Sequence, residues 1–221
     1  MEKKNDKILI FLIIVSIIVL SINVIAINTF SNIIKGPSLY KSLDKVDLTT
    51  IKSTGQSVAT LFPIDKIKTQ QDAVDILIPK GTPDYGTVLG VSFDDPLKAL
   101  NLLEKLYPSI KAGVKADQKL WNRYINLASK PVGISCEFCC GVGPIGISKN
   151  GELSCGCAHN PALHALTLWL IKNTDYSDAE ILREVMKWKT LFFPKNMIEL
   201  GMKAAGGNID TGALPEMVGG C

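Results

Sequence analysis

Six cysteines and two histidines are the residues of this 221-residue chain best suited to chemistry, and they are not scattered. Five of the cysteines lie between positions 136 and 157, and both histidines follow shortly after them. The pattern reads C-x-x-C-C, then a glycine-rich stretch, then C-x-C-x-H-x-x-x-x-H. Thiolates and imidazoles bind zinc, and thiolates also select soft ions such as Cu(I). The candidate metal ligands are Cys136, Cys139, Cys140, Cys155, Cys157, His159 and His164.

The two halves of this cluster are separated by a turn signal, Asn150-Gly151, between short apolar stretches. Asn-Gly in that setting predicts a β-hairpin. A hairpin brings Cys136 and Cys139 alongside Cys155 and Cys157, as in a zinc ribbon or zinc knuckle. These four cysteines are therefore the preferred ligands of one tetrahedral ion.

Three further side chains could replace one of these ligands or hydrogen-bond to them: Cys140, His159 and His164. Cys140 makes the thiolate set larger than one tetrahedral ion needs. His159 comes two residues after Cys157, and His164 lies one turn into the helix predicted to begin at Asn160-Pro161. A fully ligated zinc ion would have a structural role, whereas excess sulfur favours Cu(I) handling. An iron–sulfur cluster is a weaker option.

Other interpretations of the cysteines remain open. They could form disulfides that staple an interaction module, or a thiol–disulfide redox pair at Cys139-Cys140 or at Cys155 and Cys157. Cys221 could be a free thiol, a partner for Cys140 or an intermolecular bridge. No phosphate-binding loop, serine nucleophile elbow or H-E-x-x-H motif is present, so the sequence favours a protein that is not an enzyme.

Residues 8–27 form an apolar run without a charged residue, long enough to cross a hydrocarbon core of about 30 Å. The run exceeds the usual length of a cleaved signal sequence, so it predicts an uncleaved transmembrane anchor. Lys3, Lys4 and Lys7 precede it, and the positive-inside rule then places the amino terminus in the cytoplasm. The sequence therefore predicts a single-pass protein of the cell membrane whose C-terminal domain is extracytoplasmic.

Composition excludes two other classes. With 47% hydrophobic and 20% charged residues, the chain is not intrinsically disordered. A net charge of +3 provides no strong phosphate-binding field, so we expect no nucleic-acid partner. The predicted partners are the membrane and a metal ion, and no protein partner is indicated.

Beyond the anchor, hydrophobic spacing and capping signals predict a mainly α-helical domain. Thr69 and Ser177 begin capping boxes, and one leucine-rich helix is predicted to end before Pro108. Lys187, Lys189 and Lys195 are assigned to a solvated helix face. The predicted organisation is a cytoplasmic segment at 1–7, the anchor at 8–27, a linker at 28–56, a helical domain at 57–205 with the cysteine-rich hairpin at 136–159, and a flexible tail at 206–221.

Longer motifs around the cluster resemble those of one group of proteins. Residues 136–141 read C-E-F-C-C-G and residues 155–159 read C-G-C-A-H, and two helical segments follow up to Pro194. Over about residues 70–200 this resembles an uncharacterised group of membrane-anchored prokaryotic proteins, largely archaeal or from candidate-phylum bacteria, with a CxYCCG…CGCAH motif. The resemblance supports the cysteine site and implies no activity. A looser resemblance, to PCYCGC-motif lipoproteins, rests on Cys155-Gly-Cys157 alone.

Overall fold

The structure is a computed structural model that describes residue 43, residues 46–207 and residues 214–219. All of these residues belong to one unit, Tyr40–Cys221. Within this described part of the chain, no helix is both long and apolar enough to cross a membrane. The predicted anchor at 8–27 lies outside the described residues.

Helices make up nearly all regular structure in the described residues, which confirms the mainly α-helical prediction. Two 3-10 turns, Leu48–Thr50 and Ile64–Lys66, accompany them. The helices are α1 (Thr54–Leu61), α2 (Gln70–Leu77), α3 (Gly86–Leu89), α4 (Pro96–Lys115), α5 (Gln118–Ala128), α6 (Glu137–Cys140), α7 (His159–Asn173), α8 (Asp178–Phe192) and α9 (Pro194–Ala204).

Helix α7 is the centre of the domain. Only Trp169, Lys172 and Asn173 among its residues escape full burial, so the helix is apolar on nearly every face. Such a helix needs neighbours on all sides, and α4, α5 and α8 supply them. Each leucine buried in this way contributes about 1.5–3 kcal/mol relative to an exposed one. The N-terminal end of α7 is consequently held deep in the protein.

The prediction that the leucine-rich helix ends before Pro108 is wrong. Helix α4 continues through Pro108 to Lys115. Buried side chains lie on both sides of the proline, Leu103 and Tyr107 before it and Val114 after it. Pro108 itself is exposed, so the carbonyl that loses its helical N–H partner can bond to water. Packing on the buried face therefore outweighs the cost of the proline.

The predicted capping signals are confirmed with one exception. Thr69 and Ser177 both form complete capping boxes, and Asp117 caps α5. Asn160, however, lies inside α7, which begins at His159. The Asn160 amide is buried and donates to backbone carbonyls of the cysteine-rich loop, so it is not available as a cap.

The β-hairpin predicted over 136–159 is not formed as a pair of strands. The described residues contain only two isolated bridges here, a parallel one between Ile134 and Ile145 and an antiparallel one between Ile147 and Leu153. Extended pairing stops because Pro144 has no N–H to donate and Gly143 has a left-handed backbone with φ +75°. The segment is a loop with hairpin-like pairing at its tip.

The turn at that tip differs from the one usually associated with Asn-Gly. The Gly151 N–H donates to the Ser148 carbonyl (2.9 Å), and the Ser148 N–H donates to the Glu152 carbonyl (2.8 Å). Gly151 has φ +78°, whereas Asn150 does not have positive φ. A turn of type I′ needs positive φ at both central residues, so this one is a three-residue turn with a glycine bulge.

Both ends of the predicted domain extend further than expected. Helix α1 begins within the predicted linker, and its residues Val58 and Leu61 are fully buried. At the other end, residues 214–219 belong to the predicted flexible tail, yet the Val218 N–H donates to the Phe192 carbonyl at 2.9 Å. The Lys195 N–H likewise donates to the Pro215 carbonyl at 3.2 Å.

We expect Gly146→Ala to destabilise the domain by about 2 kcal/mol or more, because the added methyl group would overlap the Ile134 carbonyl and the His164 ring. The matched control is Gly156→Ala, which has open space around the new methyl group and ordinary φ. Urea unfolding of both variants measures the difference. Equal stability of the two would contradict the packing described for this loop.

Candidate metal centre

Three short segments of the loop between α5 and α7 lie side by side and bring the cysteines together. The Gly133 N–H donates to the Pro144 carbonyl (3.0 Å), which joins the first segment to the second. The Ser154 N–H donates to the Gly146 carbonyl (2.9 Å), which joins the second to the third. The Asn160 side chain then donates to both Gly146 and Cys155 carbonyls, each at 3.1 Å. The loop is thus tied to the buried end of α7.

The first three cysteines lie on a single helical turn. Helix α6 follows Cys136 directly and ends at Cys140, where Gly141 adopts the left-handed backbone (φ +65°) that commonly follows a helix. Residues four apart lie on the same face of a helix. Cys136 and Cys140 therefore face the same way, with Cys139 beside them.

Two groups of donor atoms result, and they share one residue. The ligand atoms of Cys136, Cys140, Cys155 and Cys157 all lie within 4.8 Å of one another. Those of Cys139, Cys157 and His159 do so as well. Four thiolates around zinc at about 2.3 Å have sulfur–sulfur separations of about 3.8 Å. The four-cysteine group therefore needs only small side-chain adjustments to hold a metal ion.

The four-sulfur group differs in one member from the four ligands that the sequence favours, because Cys140 takes the place of Cys139. A ribbon-like C-x-x-C turn would direct Cys136 and Cys139 to one ion. Here the turn is helical, so the residue four positions on shares the face of Cys136. A glycine directly after the cysteine pair is the sequence signal for a short helix ending at Cys140.

The five described cysteines differ in exposure. Cys136 is buried and Cys140 is exposed, while the other three are half-buried. Burial raises the pKa of Cys136. Burial also acts to raise the pKa of Cys157, but hydrogen bonds from the Cys136 thiol and the Asn160 N–H outweigh it and lower that pKa to about 6. The cluster thus favours negative charge on Cys157, at its centre.

His159 is fully buried at the first position of α7, with its ring 4.7 Å from that of Phe193 between centroids. Its Nε2 lies 2.7 Å from the Val218 carbonyl oxygen. A carbonyl only accepts, so Nε2 carries a proton, and in the neutral ring Nδ1 presents a lone pair. Among the described residues, Nδ1 has no hydrogen-bond partner. A buried acceptor left in this way is a group that a metal ion would satisfy.

His164 is not part of either donor group. It lies fully buried one turn further along α7, and its Nδ1 is 3.1 Å from the Tyr124 hydroxyl. Burial lowers the pKa of His164 to about 3, and the Lys111 charge acts in the same direction. The ring is therefore a neutral hydrogen-bonding residue of the core, although the sequence makes it a candidate ligand.

A buried charge network that the sequence does not reveal lies beneath α6. The Lys189 ammonium is fully buried and donates to the Glu137 carboxylate and the Gly133 carbonyl, both at 2.8 Å. Glu137 also accepts a hydrogen bond from the Thr54 hydroxyl. The prediction that Lys189 lies on a solvated helix face is wrong. Lys189 is flanked by aromatic residues in the sequence, but that pattern does not indicate that its side chain points into the core.

We expect Lys189→Met to cost about 3–5 kcal/mol, because it leaves the Glu137 carboxylate half-enclosed without its cation. The control is Lys195→Met, which breaks an ion pair with the exposed Glu216 and should change stability little. Urea unfolding compares the two. Restoration of stability in the double variant Lys189→Met/Glu137→Gln would confirm the cause, and a Lys189→Met variant as stable as the control would contradict it.

His164 also predicts a pH dependence of stability. Its pKa is about 3 in the folded chain and 6.5 when unperturbed, so between these values only the unfolded chain takes up the proton. Wild-type stability should then fall with decreasing pH by up to about 1.4 kcal/mol per unit below pH 6.5 from this residue alone. In His164→Gln this contribution is absent. The stability gap between wild type and variant should narrow from pH 7 to pH 5, and a constant gap would contradict the assignment.

No family model, curated protein or solved structure matches this chain. Any function must therefore be argued from the donor atoms and their surroundings. Those atoms form a cysteine and histidine cluster that could hold a metal ion.

Proposed function

We propose that this chain is a metal-binding protein whose resident ion is zinc, held by Cys136, Cys140, Cys155 and Cys157. The observation that carries the proposal is the approach of these four sulfur atoms to within 4.8 Å of one another. Four thiolates in a tetrahedral arrangement are a common structural zinc site. Such an ion would join α6 to the segment that leads into α7.

A structural role for this ion fits the weakness of the loop. Its described residues form no strand, and its two bridges are isolated. The Cys136 side chain is buried, so the ion would be reached by solvent mainly past Cys140. Zinc binding contributes on the order of 10 kcal/mol to folding in small zinc domains. An ion here would stabilise a segment that lacks regular hydrogen bonding.

The proposal includes a membrane anchor at residues 8–27 and an extracytoplasmic domain, together with membership of the membrane-anchored prokaryotic group. The support is the uncharged apolar run and the lysines before it. Outside the cytoplasm thiols tend to oxidise. A bound ion would keep the clustered thiolates from forming disulfides.

Thiol–disulfide exchange is a second candidate function, favoured by one observation. The Cys139 sulfur lies 3.4 Å from that of Cys157. In this reaction the two thiols give up two protons and two electrons to the disulfide of a partner, which is reduced to two thiols. The two candidates differ in what occupies the sulfurs, so one set of measurements separates them.

The test is elemental analysis of the full chain, purified in detergent without air, with a count of reactive thiols. We expect one zinc ion per chain and thiols that react only after chelation, because metal-bound thiolates are protected. Cys136→Ser and Cys155→Ser should each lose the zinc and much of the stability. Ser135→Ala and Ser154→Ala are the controls, since each neighbours one of these cysteines and leaves every thiol in place.

Zinc retained by both cysteine variants would contradict the proposed ligands. A wild-type chain without metal, whose Cys139 and Cys157 oxidise and reduce reversibly, would overturn the zinc proposal and favour thiol–disulfide exchange.

A further inference from the structure

We propose that Cys139, Cys157 and His159 form a second metal position, that its ion is an exchangeable Cu(I), and that Cys157 bridges it to the zinc ion. This inference rests on the proposed zinc site. Six side chains meet here, whereas one tetrahedral ion takes four. The two donors left over, Cys139 and His159, belong to one further group with Cys157.

Cys157 is the residue that makes two ions compatible. Its sulfur belongs to both donor groups and lies 3.4 Å from the Cys139 sulfur. A thiolate has several lone pairs and can bind two metal ions at once. The Cys157 sulfur is therefore within reach of both candidate ions. A bridge through Cys157 thus serves both donor groups.

His159 provides the independent observation. Its side chain is completely buried, its Nε2 proton is committed to the Val218 carbonyl, and its Nδ1 has no hydrogen-bond partner among the described residues. A buried acceptor without a hydrogen-bond partner destabilises the folded chain. A histidine whose far nitrogen donates to a backbone carbonyl is also the usual arrangement of a metal-binding histidine. Both facts assign Nδ1 to a metal ion.

The composition of this group selects the metal. Two thiolates and one imidazole are a soft set with three members, which suits Cu(I), an ion that accepts three ligands. Zinc held by three such protein groups takes a water molecule as its fourth ligand, whereas Cu(I) needs none. When Cu(I) binds, the Cys139 thiol releases its proton to solvent and no electron is transferred. The four-sulfur group keeps the zinc.

A cavity explains why the second ion would be exchangeable. It has a volume of about 400 Å³, and its lining includes Cys139, Phe138, Lys195, Glu216 and Met217. Because Cys139 lines this cavity, a ligand from solution can approach the Cu(I) from that side. Cys136 has no such access, since it is completely buried. The four-sulfur group also has an exposed member, Cys140, so the zinc is retained by its four thiolates while Cu(I), with three ligands, exchanges.

The test uses the zinc-loaded full chain in detergent, titrated without air with Cu(I) as its acetonitrile complex, in competition with bicinchoninate. We expect wild type to bind one Cu(I) per chain and keep its zinc. Cys139→Ser should lower Cu(I) affinity by more than about ten-fold with zinc unchanged. Its matched variant on the same helical turn, Cys140→Ser, should lose zinc preferentially. X-ray absorption at the copper edge should show a nitrogen neighbour that His159→Gln removes.

Three results would overturn the inference. Copper could displace zinc one for one from wild type, Cys139→Ser could bind Cu(I) as tightly as wild type, or Cys139→Ser could lose its zinc as well. The first and third would mean a single site, and the second would mean that Cys139 does not bind copper. A wild-type chain that holds no zinc is a different result, because it would contradict the proposed zinc function itself.

Discussion

The burial of α7 on nearly every face is the constraint on which the rest of this structure depends. A helix with almost no solvent-facing side must be surrounded, and α4, α5 and α8 are arranged around it accordingly. Its N-terminal end is then held within the core, so His159 and Asn160 occupy fixed, dry positions. The cysteine-rich loop is organised from that end, through the two carbonyls that the Asn160 amide binds.

The loop has little regular structure, yet it is held from several directions. Asn160 ties two of its segments to α7, and the buried Lys189 ties α6 to α8 through Glu137. A buried lysine contributes little net stability, since its desolvation offsets much of the attraction to its partner. Its contribution here is positional: the short α6 turn, with its three cysteines, keeps one orientation against the core.

Several helix boundaries and the clustering of the cysteines could be predicted from the sequence, because the residues that determine them are close together in the chain. The capping boxes at Thr69 and Ser177 depend on neighbouring residues, and so does the proximity of most of the cysteines. The exchange of Cys140 for Cys139 and the burial of Lys189 depend on contacts with distant segments. His164 is placed in the core by Tyr124, forty positions away. Helix α4 continues past Pro108 because side chains on both sides of the proline are buried, and the spacing of hydrophobic residues alone does not reveal how strongly they pack.

The contact between His159 and Val218 has a consequence for how the centre comes into being. The carbonyl that orients the histidine lies 59 positions after it in the chain. Synthesis proceeds from the amino terminus, so every thiol from Cys136 to Cys157 is made well before that carbonyl. Until residues 214–219 have been made, the Nε2 proton of His159 lacks the Val218 carbonyl that accepts it in the folded domain. The candidate metal ligands are thus complete in the growing chain before the carbonyl that orients the histidine.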